Sequence, residues 1–448
     1  MNKINLILHA HLPYVRHLEY PRFLEENWLY ESLNESYIPL LRVLKELDEQ
    51  NVNFKLSICF SPTLLTMLAD CALQERFVEY MNLHIELGEK EVVRTESEDK
   101  DCHKMALWYL EEAKKNLELY ESMDRDILST FKALSNKGKI ELVASAATNA
   151  YLPLYKSYPK AIDAQIEIGL RTHKRFFGEK AKGFWLPECG YYPGLDEALT
   201  KRGVWWVPLA SHSIITAADK SKYGGYAPIE LPSGLYGVAR DWSISNLVWS
   251  SEYGYPCDSD YREFYRDIGY YLPLEIIRPY IHEPEVRVFT GYKYYAITGK
   301  SNDKKFYDMD KAMEKVALHI DNFIYHIHRK GIMLNSYGIE NPVFTLPFDA
   351  ELFGHRWFEG IEFLKGFLRK ASEEPSCDLT TTSQLILSGA ESEKLRVNEC
   401  SWVGDGGADT WLDSSNAWIY KHTLNAIDRM QGLTYRFPDQ GSLKGRFL

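Results

Sequence analysis

The side chains best placed for chemistry are two carboxylates and a pair of imidazoles, each set at the end of an apolar run. Glu188 follows Phe184-Trp185-Leu186-Pro187, and Asp349 follows Phe344-Thr345-Leu346-Pro347-Phe348. A carboxylate placed directly after a buried strand is costly unless it is solvated, paired or functional. A lone one commonly caps the next helix, but two suggest a catalytic pair. His9 and His11 close the first apolar run; two positions apart on extended chain, both rings point to the same side. His-x-His also begins metal sites on barrel hydrolases, which need further ligands at later strand ends. The third run ends Ala147-Thr148-Asn149, without an imidazole, so the metal reading weakens.

These residues can meet only if parallel strands of one sheet carry them. Short apolar runs bounded by Gly, Pro or Asn recur at Ile4–His9, Phe54–Phe60, Ile140–Ala147, Gly183–Leu186, Val204–Val207, Leu235–Ala239, Val286–Gly291 and Val343–Pro347. This is the pattern of strands covered on both faces by helices, and in a barrel the C-terminal strand ends share one mouth. Between the second and third runs, Phe77, Tyr80, Met81 and His84, then Leu107, Leu110, Leu117 and Tyr120, recur at helical spacing over too long a stretch for one crossover. The predicted organisation is α/β: a barrel over residues 1–387 with a helical insertion at 62–137, then a Trp-rich C-terminal helical domain over 388–448. There is no repeat of fixed period.

Across 448 residues, 52 Lys+Arg stand against 63 Asp+Glu, a net charge of −11 that offers no basic stripe to a nucleic acid. Seven scattered cysteines, an odd number without a CxxC pair, fit a reduced compartment, and the cytoplasm is expected. The apolar run Ile4–Leu8 is too short for a signal peptide, and no run approaches the ~18 apolar residues of a membrane span. The 30 Tyr and 11 Trp supply flat faces that fill cores or stack on sugars. Core filling is the simpler use.

Six blocks narrow the reading: HAHLPYV at 9–15, WLPECGYYPGLDEAL at 185–199, VARDWSISNLVWSSEYGYP at 238–256, YREFYRDIG at 261–269, PFDAELFGHRWFEG at 347–360 and SWVGDGGADTWL at 401–412. In this order, over nearly the whole chain, they resemble glycoside hydrolase family 57, and within it the α-glucan branching enzymes and α-amylase-like members. The resemblance implies an incomplete TIM-like (β/α)7 barrel, no metal and no cofactor. It implies a retaining mechanism with Glu188 as nucleophile and Asp349 as general acid/base, their carboxyl groups about 5–5.5 Å apart. His9 and His11 would bond sugar hydroxyls at the cleavage point, and His355 would lie near Asp349. Trp28, Trp402 and Trp411 would stack on sugar or line the cleft, with interdomain packing an equal use for the last two. Arg240 is expected to steady Glu188 and hold its pKa low, while burial and negative charge raise that of Asp349. The loop Ser250–Asp258, with Tyr253 and Tyr255, is expected to shield a glycosyl-enzyme from water.

The chain departs from the family pattern at several points. Asn149 stands where relatives carry His, and Pro208-Leu209-Ala210-Ser211-His212 replaces an Asp-x-His. Arg356, Val403 and Cys257 also break local patterns, and the tail stops at Phe447-Leu448, short for the family. The expected activity is 1,4-α-glucan branching on amylose- or glycogen-type chains and maltooligosaccharides. The alternatives are α-amylase-like hydrolysis, 4-α-glucan transfer, a glucan-binding relative with weakened catalysis, or a metal-dependent deacetylase or amidohydrolase using His9 and His11.

Overall fold

The computed structural model describes residues 1–17, 19–281, 286–404 and 406–438. Its strands are β1 (Asn2–Ala10), β2 (Leu56–Phe60), β3 (Ile140–Ser145), β4 (Phe184–Trp185), β5 (Trp206–Leu209), β6 (Ile229–Glu230), β7 (Tyr236–Ala239), β8 (Val343–Asp349), β9 (Cys377–Leu379) and β10 (Glu393–Lys394). One sheet runs β4-β3-β2-β1-β8, all parallel, with β9 beside the start of β1. A second runs β10-β6-β7-β5, with β5 and β7 parallel. Two single bridges join them, Gly183 to Trp206 and Arg240 to Thr345. Read round, β1-β2-β3-β4-β5-β7-β8 closes a seven-stranded ring, the (β/α)7 barrel. Both faces of β1 are covered, since Ile4, Leu6, Ile7 and Leu8 are all buried, which is why the run is continuously apolar rather than alternating.

Between β2 and β3 lie the helices Pro62–Leu68, Cys71–Thr95, Lys100–Ser122 and Ile127–Asn136. Each opens on a Ser or Asp, at 61, 70, 99 and 126, whose side chain accepts a first-turn backbone N–H. The second turns Leu73, Phe77, Met81 and Leu87 inward. Upstream, helix Glu26–Ser32 passes through a π-helical turn, Leu33–Tyr37, into helix Ile38–Glu49.

Val286–Gly291 is not a strand: Val286 makes an isolated bridge and the following four residues join no ladder. The buried Asp267 carboxylate takes their backbone donors instead. It accepts from Gly269 and Thr290 through Oδ1 at 2.8 and 2.9 Å, and from Gly291 through Oδ2 at 2.9 Å. A side chain that satisfies those N–H groups removes the need for a neighbouring strand. The short strands β6, β9 and β10 left no periodic trace in the sequence. The last helix, Ala417–Arg436, buries none of its residues. Asp405 of the SWVGDGGADTWL block, and residues 439–448 on which the expected short tail rests, lie outside the described residues.

Candidate active site

His9 and Asp349 are register partners at the ends of β1 and β8. His9 Nδ1 stands 3.4 Å from Asp349 Oδ1, with the imidazole 6% exposed and the carboxylate 42%. The His9 ring stacks on Trp185, at the end of β4, with centroids 4.6 Å apart, and on His11 at 5.8 Å. His11 Nδ1 lies 2.9 Å from the Ser61 hydroxyl. Burial, then the charge of His9, pushes the His11 pKa down to about 3, so this ring is neutral at ordinary pH.

Glu351, absent from the sequence-based candidates, belongs to the same corner. It accepts the His11 backbone N–H at 3.0 Å and the hydroxyl of Tyr37. Burial, then the Asp349 charge, pushes its pKa up to about 7. The signal was available: Glu351 follows Asp349 at the two-residue spacing that had singled out His9 and His11.

Glu188 is built differently. β4 is only two residues long, and a tight turn over Pro187–Cys189 follows it, with Glu188 at φ 60, ψ 22 and Cys189 at φ 50. Two successive left-handed residues that are not glycine cost of order 1–3 kcal/mol each and persist where the surroundings over-determine them, commonly at functional sites. Those surroundings come from the tail segment. Trp402 N–H and the Ser401 hydroxyl donate to the Glu188 carbonyl at 3.0 and 3.2 Å, and Trp402 Nε1–H donates to Glu188 Oε2 at 2.8 Å. Gly190 follows so close to the Tyr151 ring that a Cβ there would stand 2.4 Å from it. Burial raises the Glu188 pKa; the Trp402 hydrogen bond and His9 oppose that rise, and the Asp349 charge adds to it. The two carboxylates are linked through a chain of contacts: Trp402, which holds Glu188, packs on Trp185, and Trp185 stacks on His9, the partner of Asp349.

Several expected partners sit elsewhere. Arg240 is buried but makes no ion pair with Glu188; its guanidinium lies 5.5 Å over the Trp402 ring. The indole has taken the place expected for the arginine, and the Glu188 pKa is raised rather than held low. His355 pairs with Glu35, Nδ1 to Oε2 at 2.6 Å, not with Asp349. Tyr255 is enclosed: its ring stacks on His319 at 4.4 Å and its hydroxyl donates to Asn322 at 2.7 Å, so it offers no face to a glucan. Tyr253, on the same loop, is 62% exposed. Trp402 packs edge-on to Trp185 and Trp249 at 5.2 and 5.6 Å. Trp411 lies 5.7 Å from the Tyr151 ring, and Trp28 is half exposed on its helix. Asn149 adopts φ 53 with Oδ1 buried and unpartnered. Among the described residues, no group of three His, Cys, Asp or Glu is placed to hold a metal ion.

The sequence profile described as "Glycosyl hydrolase family 57" matches residues 5–396. The solved α-amylase AmyC from Thermotoga maritima is 42% identical, covers 98% of this chain with 83% of its own, and superposes with a TM-score of 0.92. A branching enzyme of Thermococcus kodakaraensis, solved with glucose, is 29% identical, with 99% of this chain and 82% of that one covered and a TM-score of 0.88. A 1,4-alpha-glucan branching enzyme of Thermococcus kodakarensis matches at 29% identity over 99% of this chain, which spans 66% of that protein's length.

Proposed function

Because this chain belongs to glycosyl hydrolase family 57, we propose that it is a retaining α-glucan enzyme whose activity is 1,4-α-glucan branching on amylose- or glycogen-type chains in the cytoplasm. The supporting observation is the pair of strand-end carboxylates in one mouth, one strained and held by an indole, the other half exposed. A Glu188 oxygen attacks C1 of an α-1,4-linked glucose as the C1–O4 bond breaks, and Asp349 gives its proton to the departing O4. The 6-hydroxyl of a second chain then attacks C1, Asp349 takes its proton, and Glu188 leaves. Burial favours the neutral form of Glu188, and the hydrogen bond from the Trp402 indole N–H counters that shift in favour of the carboxylate. The half-exposed Asp349 meets leaving and entering groups from the solvent side.

His9 and His11 serve as sugar-hydroxyl partners, and Trp28, Trp402 and Trp411 line the path of the glucan. Of the two loop tyrosines, Tyr253 is the exposed one, and it is assigned the shielding of the glycosyl-enzyme. Hydrolysis is the second reading, favoured by the 42% identity to an α-amylase. The test is incubation with amylose, followed by debranching and chain-length analysis. New α-1,6 linkages are expected, and reducing ends without them would replace branching by hydrolysis. Tyr253→Ala is expected to raise the hydrolysed share, read as reducing ends per branch formed.

A further inference from the structure

The π-helical turn Leu33–Tyr37 is closed by the Ile38 N–H donating to the Leu33 carbonyl. Turns of this kind are rare and recur at functional sites. This one is anchored on both sides, since Leu29, Tyr30, Leu33, Tyr37, Ile38 and Leu41 are buried. Three successive residues of it reach the single loop that leaves β8. The Glu35 carboxylate meets His355 Nδ1 at 2.6 Å, the Ser36 hydroxyl donates to the Phe353 carbonyl at 2.7 Å, and the Tyr37 hydroxyl donates to the Glu351 carboxylate. Gly354, at φ +95, packs so closely that a Cβ there would stand 1.9 Å from the Glu35 carbonyl oxygen. Successive side chains of an α-helix are about 100° apart and cannot all face one loop. Here three consecutive residues of the widened turn all bond to that loop.

Asp349 itself is held by little. Its carboxylate is 42% exposed and, among the described residues, its one side-chain hydrogen-bond partner is His9, at 3.4 Å. Its backbone is set by the β1–β8 ladder on one side and by the following loop on the other, and Glu351 ties that loop to the turn through Tyr37 and to the end of β1 through the His11 N–H. We infer that the π-helical turn Leu33–Tyr37 is a positioning device for the proton-transferring carboxylate, clamping residues 351–355 so that Asp349 stands in line with the glycosidic oxygen. Tyr37 and Glu35 are positioning residues in this scheme, which rests on the reading of Asp349 as the general acid/base.

The experiment compares two substrates of equal sugar length in the full chain. A maltooligosaccharide expels a sugar alkoxide and needs a proton; an aryl α-maltooligoside with a dinitrophenolate leaving group does not. Single-turnover cleavage of the first is expected to slow about 10- to 100-fold in Tyr37→Phe, with less than about 3-fold change on the second. Asp349→Asn should show the same split more strongly, by about 10²- to 10⁴-fold. If Asp349→Asn shows the split and Tyr37→Phe slows both substrates equally, or neither, the inference is overturned. If Asp349→Asn shows no split, it is the role of Asp349 that falls.

Discussion

The ends of β4 and β8 carry one carboxylate each, and the two are made in opposite ways. Glu188 ends a two-residue strand in a strained left-handed turn, and a segment 214 residues further along the chain holds its oxygen. Asp349 ends a seven-residue strand in relaxed extended geometry at φ −71, ψ 134, half exposed, with its support in the loop behind it. In the proposed reaction Glu188 must strike one carbon along one line, and strain with distant hydrogen bonds fixes such a group. In the same proposed reaction Asp349 must exchange a proton with groups that come and go, and so stays open to them. Rigidity is spent on the first carboxylate and access on the second.

The largest effect that sharpens this contrast is expected for Glu188→Gln, which removes the attacking oxygen while keeping the shape. Amylose turnover should fall by roughly 10⁴-fold or more. Its Tm should rise, because burial disfavours the charged carboxylate it replaces. A variant with retained turnover would break the comparison outright.

Next is Trp402→Phe. The indole N–H lowers the Glu188 pKa, so its loss should raise that pKa and move the acid limb of kcat/KM to higher pH by about one unit. An unmoved limb would show that the tail does not tune the nucleophile.

The smallest effect is on stability at the β8 side. The folded-state pKa of Glu351, about 7, lies above the ~4.3 of an unfolded chain, so the folded state binds the extra proton between those values. That contribution is fully present below about pH 4.3 and is lost as pH rises towards 7, with a slope of at most about 1.4 kcal/mol per pH unit. Glu351→Gln should therefore flatten the fall of Tm between pH 5 and 7, measured by thermal unfolding across that range.

What was legible in the sequence follows from the same contrast. β1 and β8 announce themselves because strands buried on both faces are continuously apolar, and the carboxylate or imidazole that ends them stands out. The partner of Glu188 was hidden, because a tail indole and an Arg240 guanidinium are equally plausible neighbours until the chain is folded. Val286–Gly291 has strand composition, but the Asp267 carboxylate outbids a ladder for its N–H groups. The π-helical turn leaves no mark either, since the residues on both sides of Leu33–Tyr37 read as ordinary helix. Its extra residue shows only where the loop after β8 meets it.

The two single bridges that close the ring, Gly183 to Trp206 and Arg240 to Thr345, have a geometric consequence. They divide the barrel into a five-stranded arc, β4-β3-β2-β1-β8, and a narrow one made of β5 and β7. The two carboxylates stand on the outermost strands of the wide arc, and the narrow arc fills the gap between them. β5 and β7 thus span the gap between the two strands whose ends carry Glu188 and Asp349.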